Sequence, residues 1–204
     1  LLSDDPEALK SLSLQMVLEQ KVELILHALA VEPIMDGATM KGAIIESKQG
    51  RHAIVAKVVI DTTGDADLLA RAGAPFESDI DEKDIHHCIN TAFLMAGVDM
   101  DRFIAFRTGD RQGYSDFMSR GRDKLKFFEK PFVSWRNDVA LFMGPRLSGY
   151  SAVDVDDLTQ VEIRSRQLTN GHVEFYRSHA PGFEKAWLML GGPQIGVRHS
   201  RRLH

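Results

Sequence analysis

Val58-Val59-Ile60-Asp61-Thr62-Thr63-Gly64-Asp65 changes from apolar and β-branched residues to small polar ones within a single short run. Branched apolar side chains suit a pleated, buried surface, so Lys57–Asp61 reads as the most strongly apolar strand of its region. The carboxyl ends of strands in open α/β sheets are where nucleotides sit. Gly64 would let a ligand approach the backbone. A helix starting just beyond would favour an anionic or polar group. The same residues also make a plain strand–turn–helix corner with Thr63 or Asp65 as N-cap, and on pattern alone that corner is the commoner case.

Working upstream, Asp4 or Asp5 can cap a first helix with Pro6 in its first turn, and Leu9, Leu12, Met16 and Gln20 keep helical spacing. Val22–His27 reads as a buried strand. Ala30–Met35, Met40–Lys48 and Arg51–Val55 form an antiparallel meander, turning at Asp36-Gly37 and Gln49-Gly50. Downstream, a short helix spans about 66–72 and stops at Gly73 and Pro75. Ser78–Asp84 is an acidic loop and a candidate domain boundary. Beyond it, His87–Met95 resembles a strand. Helices are expected from Asp99 to about Arg107 and over Ser115–Phe128, then a strand over Val139–Met143. A long helix is expected after Asp154, with Leu158, Val161, Ser165, Leu168, His172, Phe175 and His179 on one face. Asn170-Gly171 argues against its continuity, because glycine costs about 1 kcal/mol in a helix interior. Pro181 should open a further helical turn, and Pro193–His199 a closing strand.

Composition sets bounds. The chain has 204 residues, 44% hydrophobic and 26% charged, with a formal charge of −4. This is an ordinary globular composition with no general attraction to nucleic acid or anionic membrane. The lone Cys88 excludes an internal disulfide framework and a cysteine-ligated iron–sulfur cluster. No apolar run reaches the roughly 20 residues needed to cross a bilayer, and no secretory leader is visible. A cytoplasmic setting is the expectation. The first residue is Leu1 and the last is His204, and both ends read as cuts through a longer protein.

Other patterns are weaker. His86-His87-Cys88 has metal-ligating residue types but no partners at metal-site spacing. Asp154, Asp156 and Asp157 lack the glycine and final glutamate of a calcium loop, so helix capping explains them, and no metal site is expected. Arg120, Arg122, Lys124, Lys126 and Lys130 read as a solvated helix face. Arg198, Ser200, Arg201 and Arg202 form a basic run. On a strand, Arg198 and Ser200 would face one way and Arg201 the other. Guanidinium groups hold anionic oxygens by paired hydrogen bonds, although on composition alone a solvated basic strand end is the commoner case.

Taken together, these segments resemble a known family. Gly50–Leu68, followed by Ala72-Gly73-Ala74-Pro75, is similar to the IDATGDGDLA…AGAP signature of FAD-dependent oxidoreductases. Their nucleotide domain is related to glutathione reductase and to the flavin subunit of heterodisulfide reductase. Asp157–Glu162, Pro181–Glu184 and Gln194–Arg202 match that family's order and spacing. The resemblance implies an α/β fold, α+β within this stretch: part of a three-layer FAD/NAD(P)-binding domain with a β-meander over residues 1–75, and a portion of a substrate domain over 76–204. It implies FAD as cofactor, met at Ala30, Thr63, Gly64 and Asp65, with Thr62 in place of the usual alanine. It makes Arg198 and Arg201 the candidate catalytic residues near flavin and substrate. A small-molecule substrate and an electron-donor partner are implied with them.

One departure stands out. The family opens with a strand, a G-x-G-x-x-G turn and a helix whose amides hold the diphosphate, and this sequence has no such glycine pattern. Gly191-Gly192 falls late and before Pro193. The isolated chain is therefore expected to be inactive. The rival expectation is a split or degenerate flavoprotein piece that scaffolds a partner.

Overall fold

A computed structural model describes residues 5–78, 89–198 and 200–203. Two compact units emerge. The larger takes Asp81–Val197 together with the first residues of the chain, and the smaller takes Ser11–Ile80 with Arg198–His204. Helices and strands mix in open sheets, and every strand pair among the described residues is antiparallel.

Helix α1, Pro6–Glu19, is capped by Asp5, whose carboxylate accepts from the Glu7 and Ala8 amides at 2.9 and 3.4 Å. None of its residues is buried. In the smaller unit, β1 (Leu29–Asp36), β2 (Thr39–Ser47) and β3 (Gly50–Val55) form the expected meander in the order β1-β2-β3. Gly42 on β2 is required by close approach: a Cβ there would fall 2.0 Å from the Ile54 carbonyl oxygen. Helix α2 (Asp67–Arg71) packs beside β1, and the Arg71 guanidinium donates to the Val31 carbonyl at 2.6 Å. Strand β4 (Phe76–Glu77) follows.

Two expected strands of this unit are absent. Val22–His27 is irregular, with Val22, Leu24, Ile25 and Leu26 exposed. Lys57–Asp61 is also irregular, and Val58 and Ile60 stand 75% and 80% exposed. Apolar, β-branched composition favours a strand only where a neighbouring ladder satisfies the backbone. Neither segment has such a neighbour among the described residues.

The larger unit begins its described part with β5 (Ile89–Asn90) and β6 (Phe93–Ala96), two short strands where one was expected. Helix α3 (Met100–Gly109) is capped by Asp99, as expected. Helix α4 (Arg111–Leu125) starts earlier than expected because the Asp110 carboxylate accepts from the Gly113 amide at 2.8 Å. Next come β7 (Phe132–Val133), β8 (Val139–Phe142), β9 (Arg146–Leu147), α5 (Val155–His179) and β10 (Trp187–Gly191). The main sheet runs β10-β6-β8-β7, with β5 and β9 paired separately. Helix α5 is capped by Asp154 and passes unbroken through Gly171. Two observations explain that continuity. A Cβ on Gly171 would lie 2.8 Å from a Leu125 methyl, so the glycine admits α4 closely. The helix also buries Val161, His172, Phe175 and Tyr176, and each large apolar side chain contributes about 1.5–3 kcal/mol, against about 1 kcal/mol lost at a glycine.

The core is aromatic. Phe93 stacks on Phe142 at 4.4 Å, and Phe103, Phe117, Phe175, Tyr176 and Phe183 close around them, all 2% exposed or less. Pro181 starts turns rather than a helix, and these bury Phe183. Over its described part, Pro193–Arg198, the expected closing strand is absent. The apolar run Trp187–Leu190 forms β10 instead, the proline lacks the amide needed to continue it, and Gly196 bridges only to Asn90. The last strand is β11, Arg202–Leu203, paired to β4 in the smaller unit.

Candidate functional site

The corner at Thr63-Gly64-Asp65 is built by the carboxylate of Asp61. One oxygen accepts from the Thr63 amide at 3.0 Å and the Thr63 hydroxyl at 2.8 Å, and the other from the Leu69 amide at 3.0 Å. The Thr63 hydroxyl in turn accepts from the Asp67 amide at 2.8 Å. Partial burial works against the Asp61 charge. The Leu69 and Thr63 amides and the Thr63 hydroxyl outweigh it and hold the carboxyl below the usual carboxylate range. The chain then turns through Gly64 at φ +96° and Ala66 at φ +51°. A Cβ on Gly64 would meet nothing within 4 Å, so this face of the backbone is open.

Asp65 turns inward and is 9% exposed. Its carboxylate accepts from the Ser200 amide and, at 3.3 Å, from the Arg201 amide. The Arg201 guanidinium donates to Asp67 at 2.7 Å and to the Asp65 carbonyl at 3.3 Å, and lies over the Phe76 ring at 5.5 Å. Arg202 pairs with Glu77 across the β4–β11 ladder, and the Ser78 hydroxyl donates to the Ser200 carbonyl at 3.0 Å. Arg198 is exposed. The strand alternation expected for this run is not its geometry, since β11 begins only at Arg202. Ala30 is half-buried near the start of β1 opposite Ile45, just before a register shift.

The structure thus brings Thr63, Gly64, Asp65 and Arg201 together, whereas Ala30 sits on β1 and Arg198 is exposed. Sequence reasoning overlooked Asp61 and Asp67. The Asp-x-Thr spacing was a usable signal, because an aspartate bonding the backbone two residues on is a standard turn device. Asp67 had no local signal, because its partner Arg201 is far away in sequence.

The larger unit holds a different polar group. His172 is fully buried, its Nδ1 2.7 Å from the Leu168 carbonyl and its Nε2 3.0 Å from the Glu129 amide. Those partners require a proton on Nδ1 and none on Nε2, and burial lowers the ring's pKa despite the Leu168 bond. The Tyr176 hydroxyl donates to the Glu129 carbonyl at 2.8 Å. A surface depression of about 360 Å³, lined by Asn170, Val173, Glu174, Arg177, Ser178 and Glu184, contains none of the expected site residues. The His86-His87-Cys88 run lies outside the described residues. Among the described residues no cluster suits a metal ion, and no helix is long and apolar enough to cross a membrane.

The chain mixes helices with open sheets, as in part of an α/β protein, and its described strand pairs are antiparallel. The sequence pattern of the family described as FAD dependent oxidoreductase matches residues 3–204. The chain belongs to that family, whose cofactor is FAD. Among solved structures it is similar to a triple mutant of a flavin-dependent brominase, at 17% identity and a TM-score of 0.49. That similarity covers 93% of this chain and 43% of the brominase, so the chain spans less than half of the solved protein's length. No curated protein matches.

Proposed function

We propose that this chain forms part of an FAD-dependent oxidoreductase acting on a small-molecule substrate, with a nucleotide domain of the glutathione-reductase type. Residues 1–75 would belong to the FAD-binding part and most of 76–204 to the substrate part. Bound flavin would supply the redox chemistry, accepting and returning electrons or hydride.

The observation that carries this reading is the open backbone face at Gly64, beside the Thr63 hydroxyl, in a chain of this family. The corner's chemistry limits what it would meet. Asp61, Asp65 and Asp67 place three carboxylates there, answered by Arg201. Such a corner accepts hydrogen bonds from hydroxyl groups and disfavours phosphate. We therefore assign Thr63 and Gly64 to a hydroxyl-bearing part of FAD and not to its diphosphate. The backbone of Ala30 would meet the adenine, and the exposed Arg198 would serve the flavin or the substrate.

The diphosphate calls for backbone amides of a G-x-G-x-x-G turn, and the sequence has none. The exposed Val22, Leu24, Ile25, Val58 and Ile60 favour an added strand–turn–helix segment covering them. The test is titration of the purified 204-residue chain with FAD, followed by absorbance and flavin fluorescence. No stoichiometric complex is expected. One FAD per chain is expected once the chain is joined to such a segment, and Gly64→Val should then weaken binding about tenfold or more. A yellow one-to-one complex of the chain alone would falsify the missing-segment half. An unchanged affinity in Gly64→Val would remove the corner from the cofactor site. The same apolar surface favours one other reading, a scaffold for a partner protein, and failure of the joined protein to take up FAD would select it.

A further inference from the structure

Resting on the placement of the cofactor at the corner, we infer that Asp65, together with Arg201 and Asp67, is a positioning device. It pins the arginine-bearing arm to the Thr63-Gly64 corner, and neither Asp65 nor Arg201 is a ligand of the flavin. Asp65 is almost fully buried, and the oxygen it presents is already shared by two arm amides, those of Ser200 and Arg201. A carboxylate so used has its charge compensated by donors from its own chain. The Arg201 guanidinium is likewise committed to the Asp67 carboxylate, the Asp65 carbonyl and the Phe76 ring, with its side chain 17% exposed. A third fastening lies just beyond, where Arg202 meets Glu77 and β11 pairs with β4.

These contacts join residues more than 120 positions apart in sequence, as in Ser78 with Ser200 and Asp65 with Arg201. They fix where the arm begins, and so fix the approach of Arg198, the exposed guanidinium two residues before Ser200. Arm and corner are thereby one body. Loosening the arm loosens the corner, and a ligand that orders the corner orders the arm.

Amide hydrogen exchange on the full 204-residue chain tests this without any flavin, so its outcome is separable from that of the FAD titration. Asp65→Ala should speed exchange of the Ser200 and Arg201 amides on the order of tenfold or more, by removing the acceptor of a buried bond. Asp65→Asn keeps an acceptor oxygen of the same shape and should restore most of the protection. Asp67→Ala, a partly exposed site that leaves the fold intact, should loosen the arm by a smaller factor. Exchange across β1–β3 should stay at the parent rate in all three. Unchanged arm exchange in both alanine variants would overturn the inference. So would loss of protection in the arm only together with loss in β1–β3, or Asp65→Asn as loose as Asp65→Ala.

Discussion

The two units of this chain solve the same problem by different means. The larger buries a continuous aromatic cluster in which Phe117 touches the rings of Phe106, Tyr114, Phe128, Phe175 and Tyr176. In the smaller, Leu68 is the one hydrophobic side chain that is fully buried among the described residues, and every residue of β3 is exposed. That unit is held by its strand ladder and by carboxylates that bind backbone amides at Asp61 and Asp65. Burial is the dominant favourable term in folding. The larger unit therefore carries its own stability, whereas the smaller one relies on hydrogen bonds worth about 1 kcal/mol each net. The largest predicted effect follows. Phe117→Ala should cost the larger unit about 3–5 kcal/mol in chemical denaturation, while Val58→Ser, at an exposed side chain, should stay within about 0.5 kcal/mol. A large loss at Val58 would break the contrast, because it would mean that segment is covered.

Histidine chemistry sharpens the same contrast. His172 stacks on the ring of Phe128 and meets that of Phe93 edge-on, with the Leu168 carbonyl and the Glu129 amide on its nitrogens. Its folded pKa is depressed by burial from 6.5. The unfolded chain then takes up a proton that the folded one refuses. The neutral ring's contribution is complete above about pH 6.5 and is lost as the pH falls through the lower folded value. Two other titrating groups adjoin this network. The Glu129 carboxyl is raised by burial against the pull of Arg146 and Lys130, which acts with the opposite sign at lower pH. The Tyr176 phenol is raised well above 10, out of this window. The stability of the larger unit against chemical denaturation should fall below about pH 6.5 with a slope of up to about 1.4 kcal/mol per pH unit. His172→Gln, which offers an acceptor and a donor without a titrating ring, should flatten that slope. An equal slope in the variant would assign it elsewhere.

What the sequence disclosed followed the range of the forces involved. Local rules read well: the aspartate caps at Asp99 and Asp154, the Asp36-Gly37 turn and the meander all formed as expected. Elements that depend on distant partners did not. Val22–His27 and Lys57–Asp61 have strand-like composition, but a strand is a relation between segments, and composition does not state whether a partner is present. Helix α5 ran through Gly171 because the helix buries Val161, His172, Phe175 and Tyr176, a tertiary reason invisible in the local pattern. At the site, Gly64 was legible from its place after an apolar run. The commitment of Arg201 to Asp67 was not, because it joins two charged residues separated by most of the chain.

The smallest predicted effect concerns the smaller unit's own strain. Ala66 adopts φ +51° and ψ +45°, the left-handed region, where the family signature quoted above has glycine. That conformation costs a residue with a Cβ about 1–2 kcal/mol. Glycine relieves it but gives back about 0.4–1 kcal/mol through the greater freedom of the unfolded chain. Ala66→Gly should therefore stabilise the corner by about 0.5 kcal/mol. The change would be read as slower exchange of the Ala70 and Ala72 amides, which donate to the Ala66 and Leu68 carbonyls. Ala72→Gly is the matched control. Ala72 sits at φ −75° in the ordinary right-handed region, so there glycine adds only unfolded-state freedom and should speed the same exchange. Neither change should alter amide protection in the larger unit. If Ala66→Gly loosens α2 as Ala72→Gly does, the corner does not hold Ala66 in the left-handed region, and its geometry would have to be redrawn around Gly64 alone.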